Sequence, residues 1–186
     1  MEFFLFVGFI AVILVFFILS YNSLIRLRNQ VQNAWQQIDI QLKRRHDLIP
    51  NLVASVKGYM QHEQGTLERV TQARTTAVNA NGLYEKIAKE NELTSALSKL
   101  IATVESYPDL KANEDVQSLM EQVTTTENQI SFARQFFNDL ATSYNTKLEV
   151  FPNNLFATSF GFHIVPLFHI TETTERDLPK VDLSSK

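Results

Sequence analysis

The chain opens on an apolar run with no polar relief: Phe3 to Leu19, FFLFVGFIAVILVFFIL, seventeen residues without a charge. Beyond it the apolar positions become periodic. They fall at Leu24, Leu27, Val31, Trp35, Ile38, Leu42, Ile49, Leu52, Val56 and Met60. Steps of mostly three and four line up one face of an α-helix. With Ser20, Tyr21, Leu24 and Ile25, the first run is long enough to cross a hydrocarbon core of about 30 Å. The periodic stretch is then a stem that carries the rest of the chain away from a membrane. Asp47-Leu48-Ile49-Pro50 interrupts it. A proline deep inside a helix costs roughly 3 kcal/mol but is accepted in the first turn. With Asp47 as N-cap, the pattern predicts a break or kink here and a second helix from about Leu48 to Asn79, stopped by Asn79-Ala80-Asn81-Gly82.

A third helix is predicted from Tyr84 to Ser106, with Leu93, Leu97, Leu100, Ile101 and Val104 on one face, ending at Tyr107-Pro108. Asn113 is the N-cap expected for a fourth, from Glu114 to about Val150. Its stripe is Val116, Leu119, Met120, Val123, Ile130, Phe137, Leu140 and Tyr144. Then the pattern changes: Phe151, Phe156, Phe160, Phe162 and Phe168 stand among Pro152, Gly161 and Pro166, so this part reads as irregular or short extended structure. From Thr171 the chain is polar and reads as a fraying end. The expected fold is all-α. A transmembrane helix (1–23) precedes an up-and-down bundle of about four long antiparallel helices (24–150), and an aromatic irregular segment with a polar tail (151–186) follows.

Composition narrows the classes. There is no cysteine among the 186 residues, which excludes disulfides, thiolate metal sites and a cysteine nucleophile. The formal charge of −3 hides an asymmetry. Residues 20–62 carry a net of +4, and residues 85–186 a net of −6. The basic membrane-proximal part has a plain reading, positive charges that set topology, and a sharper one, a collar for anionic headgroups at about 1 kcal/mol per Lys or Arg. Arg26 and Arg28 follow the apolar run and nothing basic precedes it. The positive-inside bias therefore puts the N-terminus outside and the bundle in the cytoplasm, a periplasmic bundle being the alternative. The start, Met1-Glu2, lacks the basic n-region of a cleaved signal peptide, and no small-residue cleavage site follows. Nucleic acid is not an expected partner, because the distal part is acidic and no aromatic–basic interleaving occurs.

No catalytic constellation emerges. His62-Glu63 starts like a zinc-protease motif, but Thr66 stands where the second histidine belongs. His163 and His169 flank Pro166 without a third ligand, so neither metal nor cofactor is expected. Polar residues at heptad spacing on the fourth helix are more informative: Glu127 with Arg134, and Asn138 with Asn145. Glu127 and Arg134 lie near the stripe containing Ile130, and if buried they must be paired. The candidate partners are Asp39, Arg44, Arg45 and Asp47 from the stem and Arg74 from the second helix, in a network that sets register. A catalytic carboxylate is the rival reading. Eight of the fourteen phenylalanines lie between Phe132 and Phe168. Phe151, Phe156, Phe160, Phe162 and Phe168 either pack back on the bundle or dock another copy or a partner membrane protein.

The stretch YNSLIRLRNQVQNAWQQIDIQLKRRHDLIPNLVASVKGYMQHE from Tyr21 to Glu63, with ESYPDLKANEDVQSLMEQVTTTENQISFARQFFNDLATSYN from Glu105 and FPNNLFATSFGF from Phe151, resembles the LemA family of bacterial membrane proteins. Phe137 stands where the family pattern has Tyr before the Asn. The resemblance implies one N-terminal membrane helix and a bundle of long helices, and it brings no catalytic residues. It also implies a link of one branch to building magnetosome membranes, and of others to genes beside a membrane zinc protease of the stress-response type. The expected function is a non-enzymatic scaffold that self-assembles at the inner face of the bacterial plasma membrane. The rival is an accessory factor for a membrane protease. The expected partners are the bilayer, further copies of the chain, and a membrane protease or other membrane protein.

Overall fold

The computed structural model describes residues 1–168; His169 and the polar end from Thr171 lie outside the described residues. The fold is all-α. Helix α1 runs without interruption from Glu2 to Lys57, on the order of 80 Å at 1.5 Å per residue. Its first part, Phe3 to Leu19, is exposed throughout. Among the described residues, α1 is the one helix long and apolar enough to cross a membrane. From Leu24 onward one face is buried, at Leu24, Val31, Ala34, Ile38, Leu42, Arg45, Ile49, Leu52 and Val56.

The break expected at Asp47–Pro50 is absent. Pro50 sits inside α1, where its missing N–H leaves the His46 carbonyl without an intrahelical donor. Arg74, from a different helix, supplies one: its Nε donates to the His46 carbonyl at 2.7 Å. The chain turns eight residues after Pro50, at Gly58-Tyr59, where Tyr59 and Met60 both donate to the Val56 carbonyl. The fully buried Met60 plugs the corner. A 3-10 turn, Gln61–Glu63, leads into α2, Gln64–Asn79. The second helix is therefore half the length expected.

Helix α3 covers Leu83–Glu105, a single turn α4 covers Pro108–Lys111, and α5 covers Glu114–Glu149. The Asn113 side chain caps α5 by accepting from the N–H groups of Asp115 and Val116, each at 3.1 Å, satisfying two donors left over at the helix start. Two 3-10 turns, Asn153–Leu155 and Thr158–Phe160, then carry the chain into an extended segment.

Antiparallel packing of α1 on α5 forms the spine. Ser20 meets Asn153, Trp35 meets Phe137 and Arg45 meets Glu127. The α2–α3 hairpin joins the distal half of this pair. Two core clusters result. The distal one is aliphatic, built on Ile49, Leu52, Val56, Leu93, Leu97 and Val123. The membrane-proximal one is aromatic, with Phe137, Tyr144, Phe156, Phe162 and Phe168 around Leu24, Val31, Ile38 and Leu42.

Candidate functional site

Between the two cores lies a buried polar layer centred on Arg45. Each helix that crosses this level changes from apolar to polar for about one turn. On α1, Arg45 stands between Leu42 and Ile49; on α3, Glu90 stands between Ile87 and Leu93; on α5, Thr126 and Glu127 stand between Val123 and Ile130. Arg45 and Glu90 are both fully buried and form an ion pair through Nη2 and Oε2. Arg45 Nη1 also reaches Glu127 Oε1 at 2.5 Å and the Thr94 hydroxyl at 2.8 Å. His46 Nε2 lies 3.0 Å from Glu90 Oε1. Burial opposes ionisation of Glu90, but hydrogen bonds and charge from His46 and Arg45 outweigh it and hold the carboxyl below its usual range.

Arg134 lies one layer toward the membrane. It does not pair with Glu127. Its Nη1 donates to Asn91 Oδ1 at 3.1 Å, and its guanidinium sits 4.9 Å from the centroid of the Phe168 ring. Burial, and next the nearby positive charge of Arg45, lower its pKa to about 10. Two guanidiniums thus face two carboxylates across the middle of the bundle, and the layer is close to neutral.

Of the remaining candidates for this network, Asp39 pairs with Lys86 at 2.5 Å on a part-exposed edge. Arg74 is committed to the His46 carbonyl. Arg44 and Asp47 are exposed and have no ion pair among the described residues, a correction to their expected membership. Each step along a helix turns the side chain by about 100°, so Arg44 and Asp47 face outward while His46, on the other side of Arg45, turns toward Glu90. Glu90, His46, Thr94 and Asn91 were missed. The signal for Glu90 was present: it continues the three-and-four spacing of Leu93, Leu97 and Leu100 one step toward the N-terminus, a charge inside an apolar stripe.

The heptad-spaced asparagines have a different task. Asn145 Nδ2 donates to the Val165 carbonyl at 2.8 Å, and the Val165 N–H donates back to Oδ1 at 2.9 Å. Asn138 does the same with Phe168, at 2.9 Å in both directions. Seven residues of helix advance by about 10.5 Å, and three residues of extended chain by about 10 Å. The two spacings match, so each amide clasps the tail as a neighbouring strand would. The tail runs antiparallel to α5. Phe168 stacks on Trp35 with ring centroids 5.7 Å apart and packs edge-on to Phe137.

Phe156, Phe162 and Phe168 are therefore core residues of their own chain, which corrects their place among the candidate interface residues. Phe151 and Phe160 remain exposed, at 78% and 60%. Arg26 is exposed, and Arg28 lies over the Phe162 ring at 5.4 Å. His62 is exposed on the 3-10 turn. Among the described residues no group of three or more His, Asp or Glu side chains is placed to hold a metal ion. An open groove separates the end of α1 from the start of α2, lined by Val53, Lys57, Met60, Gln64, Leu67 and Gln72 among others.

Comparison with known proteins supplies what the geometry lacks. The model of the LemA family matches residues 34–183. The chain is 28% identical over 163 residues to Protein LemA of Metamycoplasma hominis, covering 87% of this chain and 74% of that protein. It is 23% identical over 182 residues to Magnetosome protein MamQ 2 of Paramagnetospirillum magneticum, and over 178 residues to Magnetosome protein MamQ of Magnetospirillum gryphiswaldense. These matches cover 84% and 82% of this chain and 65% of each magnetosome protein.

Proposed function

The chain belongs to the LemA family, a membrane-associated family of non-enzymatic proteins, and from that premise we propose that it is a membrane-anchored scaffold that self-assembles at the bacterial inner membrane. The observation that carries this reading is the continuity of α1. One helix holds both the apolar stretch and the spine of the bundle, with no linker between them, so the orientation of the bundle is tied to the tilt of its anchor. Such a coupling suits a protein that organises a membrane surface rather than one tethered to reach distant substrates. The magnetosome names of two relatives point the same way. Self-association has candidate surface on both helices of the spine, with Ile40 exposed on α1 and Phe132 and Phe136 exposed on α5.

The groove between α1 and α2 favours a second reading, an adaptor that holds a segment of a membrane protease or other membrane protein. Purification in mild detergent, with mass measurement of the intact complex, separates the two. A homo-oligomer is expected. A stoichiometric complex with a protease, and no self-association, would replace the scaffold by the adaptor. Orientation belongs to the same proposal, with the bundle on the cytoplasmic side as the positive-inside bias of Arg26 and Arg28 favours. With no natural cysteine, Ser118→Cys on the exposed distal end of α5 should resist a membrane-impermeant maleimide until the inner membrane is opened.

A further inference from the structure

The second half of the chain returns to the membrane end of α1, and it does so with an unusual surface. From Val150 to Ile164 there is no Asp, Glu, Lys or Arg. Two elements pin this segment to α1. Its turns hold the α1 surface between Phe17 and Ser23: the Ser20 hydroxyl donates to Asn153, the Asn153 amide donates to the Lys147 carbonyl at 2.8 Å, and Lys147 Nζ donates to Ser23. Rings complete the attachment. Phe156 lies 5.1 Å from Phe17, and Phe160 and Phe162 each lie 5.6 Å from Tyr21.

Phe17 belongs to the uncharged run, so the depth of the turns follows from the depth of the anchor. Seventeen residues extend about 25 Å at 1.5 Å per residue, short of a hydrocarbon core of about 30 Å. The boundary between hydrocarbon and headgroups therefore falls near Ser20 to Ser23, the level at which the turns are fastened. Facing outward there are Phe151, Leu155, Phe160 and Ile164, each at least 60% exposed. An apolar patch of this kind marks a contact surface, and aromatic side chains favour the membrane–water interface. Arg28, 5.4 Å from the centroid of the Phe162 ring, stands beside it to meet phosphates.

We propose that the turns at residues 150–164 are a second membrane-contacting element, seated in the lipid interface beside the anchor. The occupant of the patch is lipid rather than a second copy of the chain, because the patch is continuous with a helix surface that lipid already surrounds. The proposal rests on the membrane span of α1 and not on the scaffold reading.

The test uses the full chain in vesicles of phosphatidylcholine and phosphatidylglycerol. Phe151→Cys, Leu155→Cys and Phe160→Cys are each labelled with an environment-sensitive fluorophore. Ser118→Cys serves as the aqueous reference and Val12→Cys as the reference within the span; Trp35 emission reports that each labelled protein is folded. The three tail probes should emit to the blue of the Ser118 probe. They should lose most of their emission to lipids carrying a nitroxide near the headgroup, and less to lipids carrying it near the chain end. Tail probes that match the Ser118 probe while the Val12 probe is quenched would overturn the proposal and leave the span intact. A blue shift without lipid quenching, lost as lipid is raised over protein, would also overturn it by placing a second copy on the patch.

Discussion

The two halves of the bundle solve the same packing problem with different materials. The distal half has four helices and closes on aliphatic side chains such as Leu52, Val56, Leu97 and Val123. The proximal half has only two. The α2–α3 hairpin ends about one turn past the level where Lys86 meets Asp39, with Leu83 and Ile87 on the edge of the proximal core, and below it α1 and α5 have an open side. The chain fills that side with an extended segment carrying rings. A buried aromatic side chain covers about 150–250 Å², so Phe162 and Phe168, with Trp35 and Phe137, can replace two absent helices. A helix pair cannot enclose a core alone. The distal half therefore closes on helix-to-helix contacts, whereas the proximal half closes only when the tail docks.

The largest expected effect comes from the layer that separates the halves. Arg45→Met leaves Glu90 fully buried without its guanidinium, and breaking such a pair costs about 3–5 kcal/mol. Urea unfolding should show that loss. Glu127→Gln should cost less than half as much, since the Glu127 side chain keeps 21% of its exposure and Arg45 retains Glu90. The pH dependence follows from the same pair. Glu90 titrates in the folded protein below its ordinary value of 4.5, so the unfolded chain takes up the proton first. This stabilisation is complete above about pH 4.5 and is lost as pH falls through the folded value. In Arg45→Met only His46 is left to oppose burial at Glu90, so the loss of stability on acidification should shrink. An unchanged pH profile would remove Glu90 from the layer.

A smaller effect, confined to one half, tests the tail. Asn138→Ala and Asn145→Ala each remove a two-way amide bond to the tail backbone and leave a strand-like N–H and carbonyl without partners. The expected cost is about 1–3 kcal/mol each. Trp35, the one tryptophan, loses its stacking partner when Phe168 leaves, so its emission should shift to the red. Amide exchange should rise in residues 24–42 of α1 and stay slow in residues 49–56. Equal loss of protection in both stretches would mean that the halves do not close independently.

The same division explains what the sequence disclosed. Periodicity marked α3 and α5 to within two residues, and Asn113 announced the cap, because these features depend on side chains within a few residues of each other. Glu127 and Arg134 pointed to the polar layer, since charge inside an apolar stripe requires company. Their partners were less legible: Arg45 stood among four neighbouring charges, and the stripe of α3 was followed only as far as Leu93, one step short of Glu90. The tail was the least readable part. What Asn138 and Asn145 grip is backbone, at Val165 and Phe168, and backbone carries no residue signature. Aromatic content announced that Phe156, Phe162 and Phe168 would be covered but not by what.

The smallest expected effect concerns the continuity of α1, on which the link between anchor and distal core depends. Pro50 lacks the N–H that would answer the His46 carbonyl, and Arg74 Nε occupies that carbonyl at 2.7 Å. The arrangement explains why a proline that should end a helix does not, and it can be measured as a coupling. Arg74→Met should cost about 1 kcal/mol in the natural background, since a half-buried carbonyl then goes unanswered. In a Pro50→Ala background an N–H at position 50 can take over, and the same Arg74→Met change should cost little. The four proteins form a double-mutant cycle with an expected coupling of about 1 kcal/mol between residues 24 apart in sequence. If Arg74→Met costs the same in both backgrounds, its contribution is packing of the α2 hairpin, and the continuity of α1 through Pro50 must come from the burial of Ile49 and Leu52 on either side.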